Sequence, residues 1–201
     1  NDIKDIHIHD HFISESDRSK QFSICLDNFH FDFSKNKITS KTISLFNELL
    51  NEIDLKSSIE KYFKGDEINS TEVRPVLHTA LRANDDEKLI LQGEDIMFQI
   101  KNAKEKIQLF SESIISGDHK GFSGKKILDI VNIGIGGSDL GPSMVVESLS
   151  HYKTRLNTHF ISNVDGDYLN QILDQVNPET TLFIIVSKTF TTIETLTNAN
   201  S

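Results

Sequence analysis

The order of segments along the chain predicts an α/β protein, in which a helical, polar region precedes a parallel sheet with helices on both faces. Two observations carry this reading. Up to about residue 117 apolar residues recur at helical spacing, and from Lys125 onward short apolar runs alternate with loops and helical segments. Strand, loop and helix in repetition is the pattern of βαβ units, whose parallel strands need helical crossovers.

The elements follow in order. Residues 42–63 place Ile43, Phe46, Leu50, Ile53, Leu55, Ile59 and Tyr62 at helical spacing, with Gly65 as the stop. Residues 68–82 read as helical, with Pro75 at a kink or start, and put His78 on the apolar side as a packed histidine. Residues 95–117 form the clearest helix, since Ile96, Ile100, Ala103, Ile107, Phe110 and Ile114 share one face and Gly117 stands at the C-terminal cap. A helical region 1–117 and a sheet domain 118–201 are expected.

In the second region, 127–133 and 156–162 read as strands and 144–149 as helical. Asp165 or Asp167 can cap a helix bearing Leu169, Ile172, Leu173 and Val176, closed by Asn177-Pro178. Residues 181–187 form a third strand, apolar on both faces as a central parallel strand should be. The next helix begins near Thr191, hardly two turns before Ser201, so the sheet is expected to be incomplete at its C-terminal edge.

Composition narrows the function classes. The chain has 201 residues, 37% of them hydrophobic, and a net charge of −9. That supports a real core and argues against a nucleic-acid partner, which would call for a basic face. No apolar run approaches the ~20 residues of a membrane span, and no basic, apolar leader opens the sequence. Cys25 is the only cysteine, which excludes an internal disulfide, fits a cytoplasmic setting and is most simply a small buried side chain. His7, His9 and His11, with Asp10 beside them, could face a metal together on a strand. With no second ligand cluster in the sequence, a solvated terminus and no metal is the expectation.

Chemistry concentrates in two loops. VNIGIGGSDLGPS at 131–143 runs from a strand through glycines into a helix start. A dinucleotide fingerprint fails there, because Asp139 stands where the third glycine belongs, and no G-K-[ST] follows a strand. Gly136 and Gly137 permit close approach of a ligand to the backbone, and Ser138 adds a hydroxyl. Pro142 is expected within the first helical turn. On this loop alone, an anion site and a simple cap by Ser138 or Asp139 fit equally well. The second loop, SKTFTT at 187–192, also leaves an apolar strand for a helix and offers four hydroxyls and one ammonium. Two such loops at the carboxyl ends of one parallel sheet favour a phosphate site.

These segments resemble the phosphoglucose isomerase family. The resemblance rests on NIGIGGSDLGP at 132–142, on SKTFTTIETLTNA at 187–199, on DFSKNKIT at 32–39, on INSTEVRPVLHTALR at 68–82 and on SGDHKGFSG at 116–124. It implies a three-layer αβα sandwich of the sugar-isomerase type and interconversion of glucose 6-phosphate and fructose 6-phosphate through an enediol, in glycolysis and gluconeogenesis. It further implies that Gly137, Ser138, Ser187, Lys188, Thr189 and Thr192 hold the substrate phosphate. Glu194 fits the family's glutamate beside them, or is a solvated helix residue. No catalytic residue is expected in this chain, because the family's proton-transferring Glu, His and Lys and its Arg lie downstream of the second loop, and the 201 residues alone are expected to be inactive. No cofactor is implied; the expected partners are a sugar phosphate and, for the full-length protein, a second copy of itself. A non-catalytic sugar-phosphate-binding regulatory module is the alternative.

Overall fold

The computed structural model describes residues 3–84 and 86–201. The chain divides into two compact units, Asn1–Met97 and Phe98–Ser201. The division falls in the first turn of a long helix, some way ahead of the boundary expected at residue 117.

The first unit begins with helices α1 (Ile8–Ser14) and α2 (Arg18–Gln21) and a hairpin of β1 (Ser23–Leu26) and β2 (Phe29–Asp32). Helices α3 (Ser40–Glu52) and α4 (Leu55–Lys64) follow, and then a short two-stranded ribbon, β3 (Ile90–Leu91) and β4 (Glu94–Asp95). The hairpin and the ribbon carry no strong period and were not expected. A buried arginine organises the start of this unit. Arg18, with no exposed surface, donates to the carbonyls of Ser34 (2.7 Å), Asn36 (2.9 Å) and Ile38 (2.9 Å) and to Glu15 Oε2 (2.6 Å). Its guanidinium lies over the Phe22 ring, 4.5 Å from the centroid.

Several expectations change here. The single helical stretch at 42–63 is two helices. Asp54 takes a left-handed conformation (φ 49°) and its carboxylate accepts from Ser57 N–H, so it ends one helix and caps the next. Gly65 does close α4, as anticipated. Residues 68–82 are not helical beyond one 3₁₀ turn at Ala80–Arg82, and His78 is exposed, not packed. Cys25 is exposed too, because every β2 residue and all but the first of β1 lie at the surface. Around the three histidines, α1 begins at Ile8; His11 is buried while His7 and His9 are exposed. Among the described residues no group of His, Cys, Asp and Glu is arranged to hold a metal ion.

The second unit is mixed α/β around a parallel three-stranded sheet. Helix α5 (Ile96–Ser116) leads through a loop to β5 (Asp129–Ile133), α6 (Gly137–Ser148), β6 (Asn157–Ile161), α7 (Gly166–Leu173), β7 (Thr181–Ile185) and α8 (Ile193–Asn200). The strand order is β6-β5-β7, so the first strand is central. Val131, Ile133 and Ile161 pack with Leu169 and Ile172 of α7 and with Ala199 of α8. Ile130 and Leu182 point the other way, towards Ile114 of α5, Ile127 and Leu156. Arg155 pins the end of α5 to the entry of β5 by donating to the carbonyls of Ile114, Ile115 and Ile127. Asp165 caps α7, accepting from Tyr168 N–H at 3.0 Å.

One strand is not where its composition placed it. The largely apolar β7 lies at the edge of the sheet, and Phe183, Ile184 and Ile185 are each 40% exposed. A central strand is apolar because both faces are covered; here that composition stands on an open edge. Among the described residues no helix is long and apolar enough to cross a membrane.

Candidate functional site

The two glycine- and hydroxyl-rich loops leave adjacent strands at the same level. Ile133 of β5 pairs with Ile185 of β7, and Val186 N–H donates to Ile133 O at 2.8 Å. The first loop therefore starts at Gly134 and the second at Ser187 side by side, at the carboxyl ends of parallel strands, where open α/β sheets bind ligands.

In the first loop Gly136 is the N-cap of α6 at φ 59°, ψ −120°, a backbone that L side chains rarely adopt. No side chain caps the helix, so capping by Ser138 or Asp139 is not what these residues do. Ser138 N–H donates to Ile135 O (3.2 Å) and Asp139 N–H to Gly136 O (3.0 Å). The N–H groups of Gly136 and Gly137 make no hydrogen bond among the described residues. Gly137 is exposed and Ser138 half-buried. Asp139 is buried in the first turn of α6.

Pro142 lies in the second turn, as the sixth residue of α6, and not in the first. It has no N–H for the carbonyl four residues back, which belongs to Ser138. Asn132 Nδ2 donates to that carbonyl instead, at 3.2 Å. Gly134 makes the approach possible, since a Cβ there would sit 2.7 Å from Ser138 O. Asn132 was legible only as part of the motif; the signal that would have found it is a proline placed four residues after a carbonyl that then needs another donor.

The second loop is tied internally. Ser187 Oγ accepts from Phe190 N–H at 3.1 Å and shares a hydrogen bond with Thr192 Oγ1 at 3.3 Å. Thr189 and Thr191 join their hydroxyls at 2.6 Å. Phe190 is held at φ 54°, uncommon for a bulky residue and a sign that the surrounding structure fixes the loop. Ser187 and Thr192 are half-buried; Lys188, Thr189 and Glu194 are exposed. Glu194 sits in the first turn of α8, and Asn198 of the same helix donates to Asn163 O at 2.8 Å.

The fold thus brings all seven expected residues to the carboxyl end of one sheet, on two neighbouring loops and the first turns of the helices that follow them. Hydroxyls, an ammonium and unpaired N–H groups at a helix start can bind an anion and transfer no proton by themselves. An apolar cavity of about 600 Å³ opens elsewhere, among Phe110, Ile114, Val145, Leu149 and Leu182, and none of the seven lines it.

The family model described as phosphoglucose isomerase matches residues 32–201. The glucose-6-phosphate isomerase of Christiangramia forsetii is 52% identical over 200 residues, covering all of this chain and 37% of the relative. That of Buchnera aphidicola subsp. Schizaphis graminum is 52% identical over 201 residues, covering 36% of its length. The chain thus spans little more than a third of these curated relatives. A crystal structure of a glucose-6-phosphate isomerase from Chlamydia trachomatis shares the fold, with a TM-score of 0.74 at 24% identity over 97% of this chain and 37% of that one. A match of this length, running through both loops and back into the first unit, establishes that the chain belongs to the phosphoglucose isomerase family.

Proposed function

We propose that the two loops form the substrate-phosphate site of an aldose–ketose isomerase that interconverts glucose 6-phosphate and fructose 6-phosphate. The supporting observation is the pairing of Ile133 with Ile185, which sets the 134–138 turn beside the 187–192 loop. In this reading Gly137 N–H, the Ser138 hydroxyl, and Ser187, Lys188, Thr189 and Thr192 share the phosphate oxygens, with Lys188 supplying the full positive charge. Glu194 stands next to them on α8 without touching the phosphate.

The reaction moves a proton between C1 and C2 of the sugar through an enediol, at the other end of the substrate from the phosphate. Gripping the phosphate anchors the sugar, and that binding energy orients the reacting carbons against the proton-transferring groups. Those groups are proposed to lie in the part of the family's sequence that this chain does not match, which makes the phosphate clamp its contribution. The second unit is proposed as the beginning of a three-layer αβα sandwich of the sugar-isomerase type, with further strands beyond the edge of β7. The full-length protein is proposed to be a cytoplasmic homodimer.

The test is conversion of fructose 6-phosphate to glucose 6-phosphate by the full-length protein carrying this sequence. Lys188→Ala is expected to raise KM at least tenfold, since a charge-assisted contact to phosphate is worth roughly 1.5–3 kcal/mol. Unchanged KM and kcat would remove Lys188 from the site. Sugar-phosphate binding without turnover would overturn the isomerase reading.

A further inference from the structure

We propose that Asn132 is a positioning residue for the phosphate turn: its side-chain amide replaces the helical N–H that Pro142 lacks and ties the first turn of α6 to the sheet. The inference rests on the reading of the two loops as a phosphate site.

Three residues converge on one oxygen. Pro142 cannot donate to Ser138 O, and a proline ring crowds the carbonyl four residues earlier. Asn132 Nδ2 meets that oxygen at 3.2 Å. Gly134 leaves it room, since any Cβ there would come within 2.7 Å of it. An amide at position 132 otherwise has little reason to exist. Asn132 is 8% exposed, and its strand neighbours in register are Phe160 and Ile184. A polar group in such surroundings must be hydrogen-bonded or it destabilises the fold.

The bond also has a functional direction. Asn132 belongs to β5, and β5 is paired with the strand that carries the 187–192 loop. The amide is therefore a strut from the sheet to Ser138. It fixes the Ser138 hydroxyl and the Gly137 N–H relative to Lys188 and Thr189, which hang from the neighbouring strand. A phosphate gripped from both loops depends on that spacing, whereas the chemistry at the far end of the sugar does not.

The experiment uses the full-length protein and reads KM for fructose 6-phosphate, kcat and the inhibition constant of inorganic phosphate. Asn132→Ala is expected to raise KM and the phosphate inhibition constant together, by about tenfold, with a smaller change in kcat. Asn132→Asp, which sets an acceptor against an acceptor, is expected to raise them further. Pro142→Ala restores a backbone N–H to Ser138 O. In that background Asn132→Ala is expected to change KM less than about threefold, because the carbonyl keeps a donor. A role confined to stability would lower Tm and leave KM of the folded enzyme where it was, which overturns the proposal. So would an equal loss in both backgrounds, or failure of the double variant to fold. Ser138→Ala and Lys188→Ala are measured beside these. If they raise KM and Asn132→Ala does not, the strut is wrong and the phosphate site stands; if none of them raises KM, the phosphate site itself is wrong.

Discussion

The three glycines at the turn between β5 and α6 make a graded test of how this turn works, because the structure gives each a different reason to be glycine. At Gly134 an added Cβ would lie 2.7 Å from Ser138 O and 2.9 Å from Ser138 Cβ. Two neighbouring backbone segments would have to separate, and overpacking of this kind costs about 1–3 kcal/mol. At Gly136 nothing lies within 4 Å, but the backbone at φ 59°, ψ −120° suits no L side chain. Holding Ala there costs about 1–3 kcal/mol of strain. At Gly137 the added Cβ also meets nothing, and φ is ordinary, so Gly137→Ala is expected to change stability by no more than about 0.5 kcal/mol. Substrate affinity should order them differently. The space in front of Gly137 is the space assigned to the phosphate, so Gly137→Ala is expected to raise KM about tenfold, or ~1.4 kcal/mol, with the fold intact. Urea unfolding gives the stability series, and fructose 6-phosphate kinetics of the full-length protein give the affinity series. Gly137→Ala with normal KM would take that N–H out of the site, and Gly134→Ala within 0.5 kcal/mol of the parent would refute the steric argument.

Two further predictions concern the first unit. Arg18→Met keeps an unbranched stem against Phe22 and removes four hydrogen bonds; it is expected to cost about 2–4 kcal/mol in urea unfolding, mostly from the Ser34 carbonyl, and a loss below 1 kcal/mol would show that water replaces the guanidinium. The Asp32 carboxyl is held below its ordinary value, first by the Ser34 hydroxyl and then by Ser34 N–H. A lowered folded pKa gives stability that is fully present above the unfolded value and is lost as pH falls through the folded one. Asp32→Asn is therefore expected to flatten the stability profile below about pH 4 and to leave its shape above that unchanged; an altered slope near neutral pH would contradict it.

What could be read in the sequence was whatever depends on neighbours in the chain. The three strand runs, the cap at Asp165 and the glycine stops at 65 and 117 are local decisions, and the parallel alternation follows from them. The two loops that leave β5 and β7 for helices were legible for the same reason, whereas the roles expected of their residues came from the family resemblance. Elements that depend on distant partners were not. Asp54 broke the 42–63 helix through a left-handed backbone that no apolar period records. The β1–β2 hairpin is exposed along nearly its whole length, so it shows no alternation of burial to detect. The apolar run of β7 described coverage on both faces, which is a property of a sheet's other members and not of the strand. Asn132 could be understood only once Ser138 and Pro142 were seen on the same helix.

The order β6-β5-β7 also bears on how the second unit is made. The strand synthesised first is the one that ends in the middle, so each later strand adds to an outer flank and none has to push between two already joined. Growth from the centre suits a chain that emerges at about 5–20 residues per second, because every new segment finds its template already in place. The exposed interval is set by the helices. Val131 and Ile133 are covered by Leu169 and Ile172 and, last of all, by Ala199, so the nascent sheet carries a bare apolar face for roughly forty residues of synthesis and a partly covered one for about thirty more, several seconds at that pace. That is the stage at which a chaperone has most to hold, and at which a ribosome stalled shortly after β6 would leave the stickiest product.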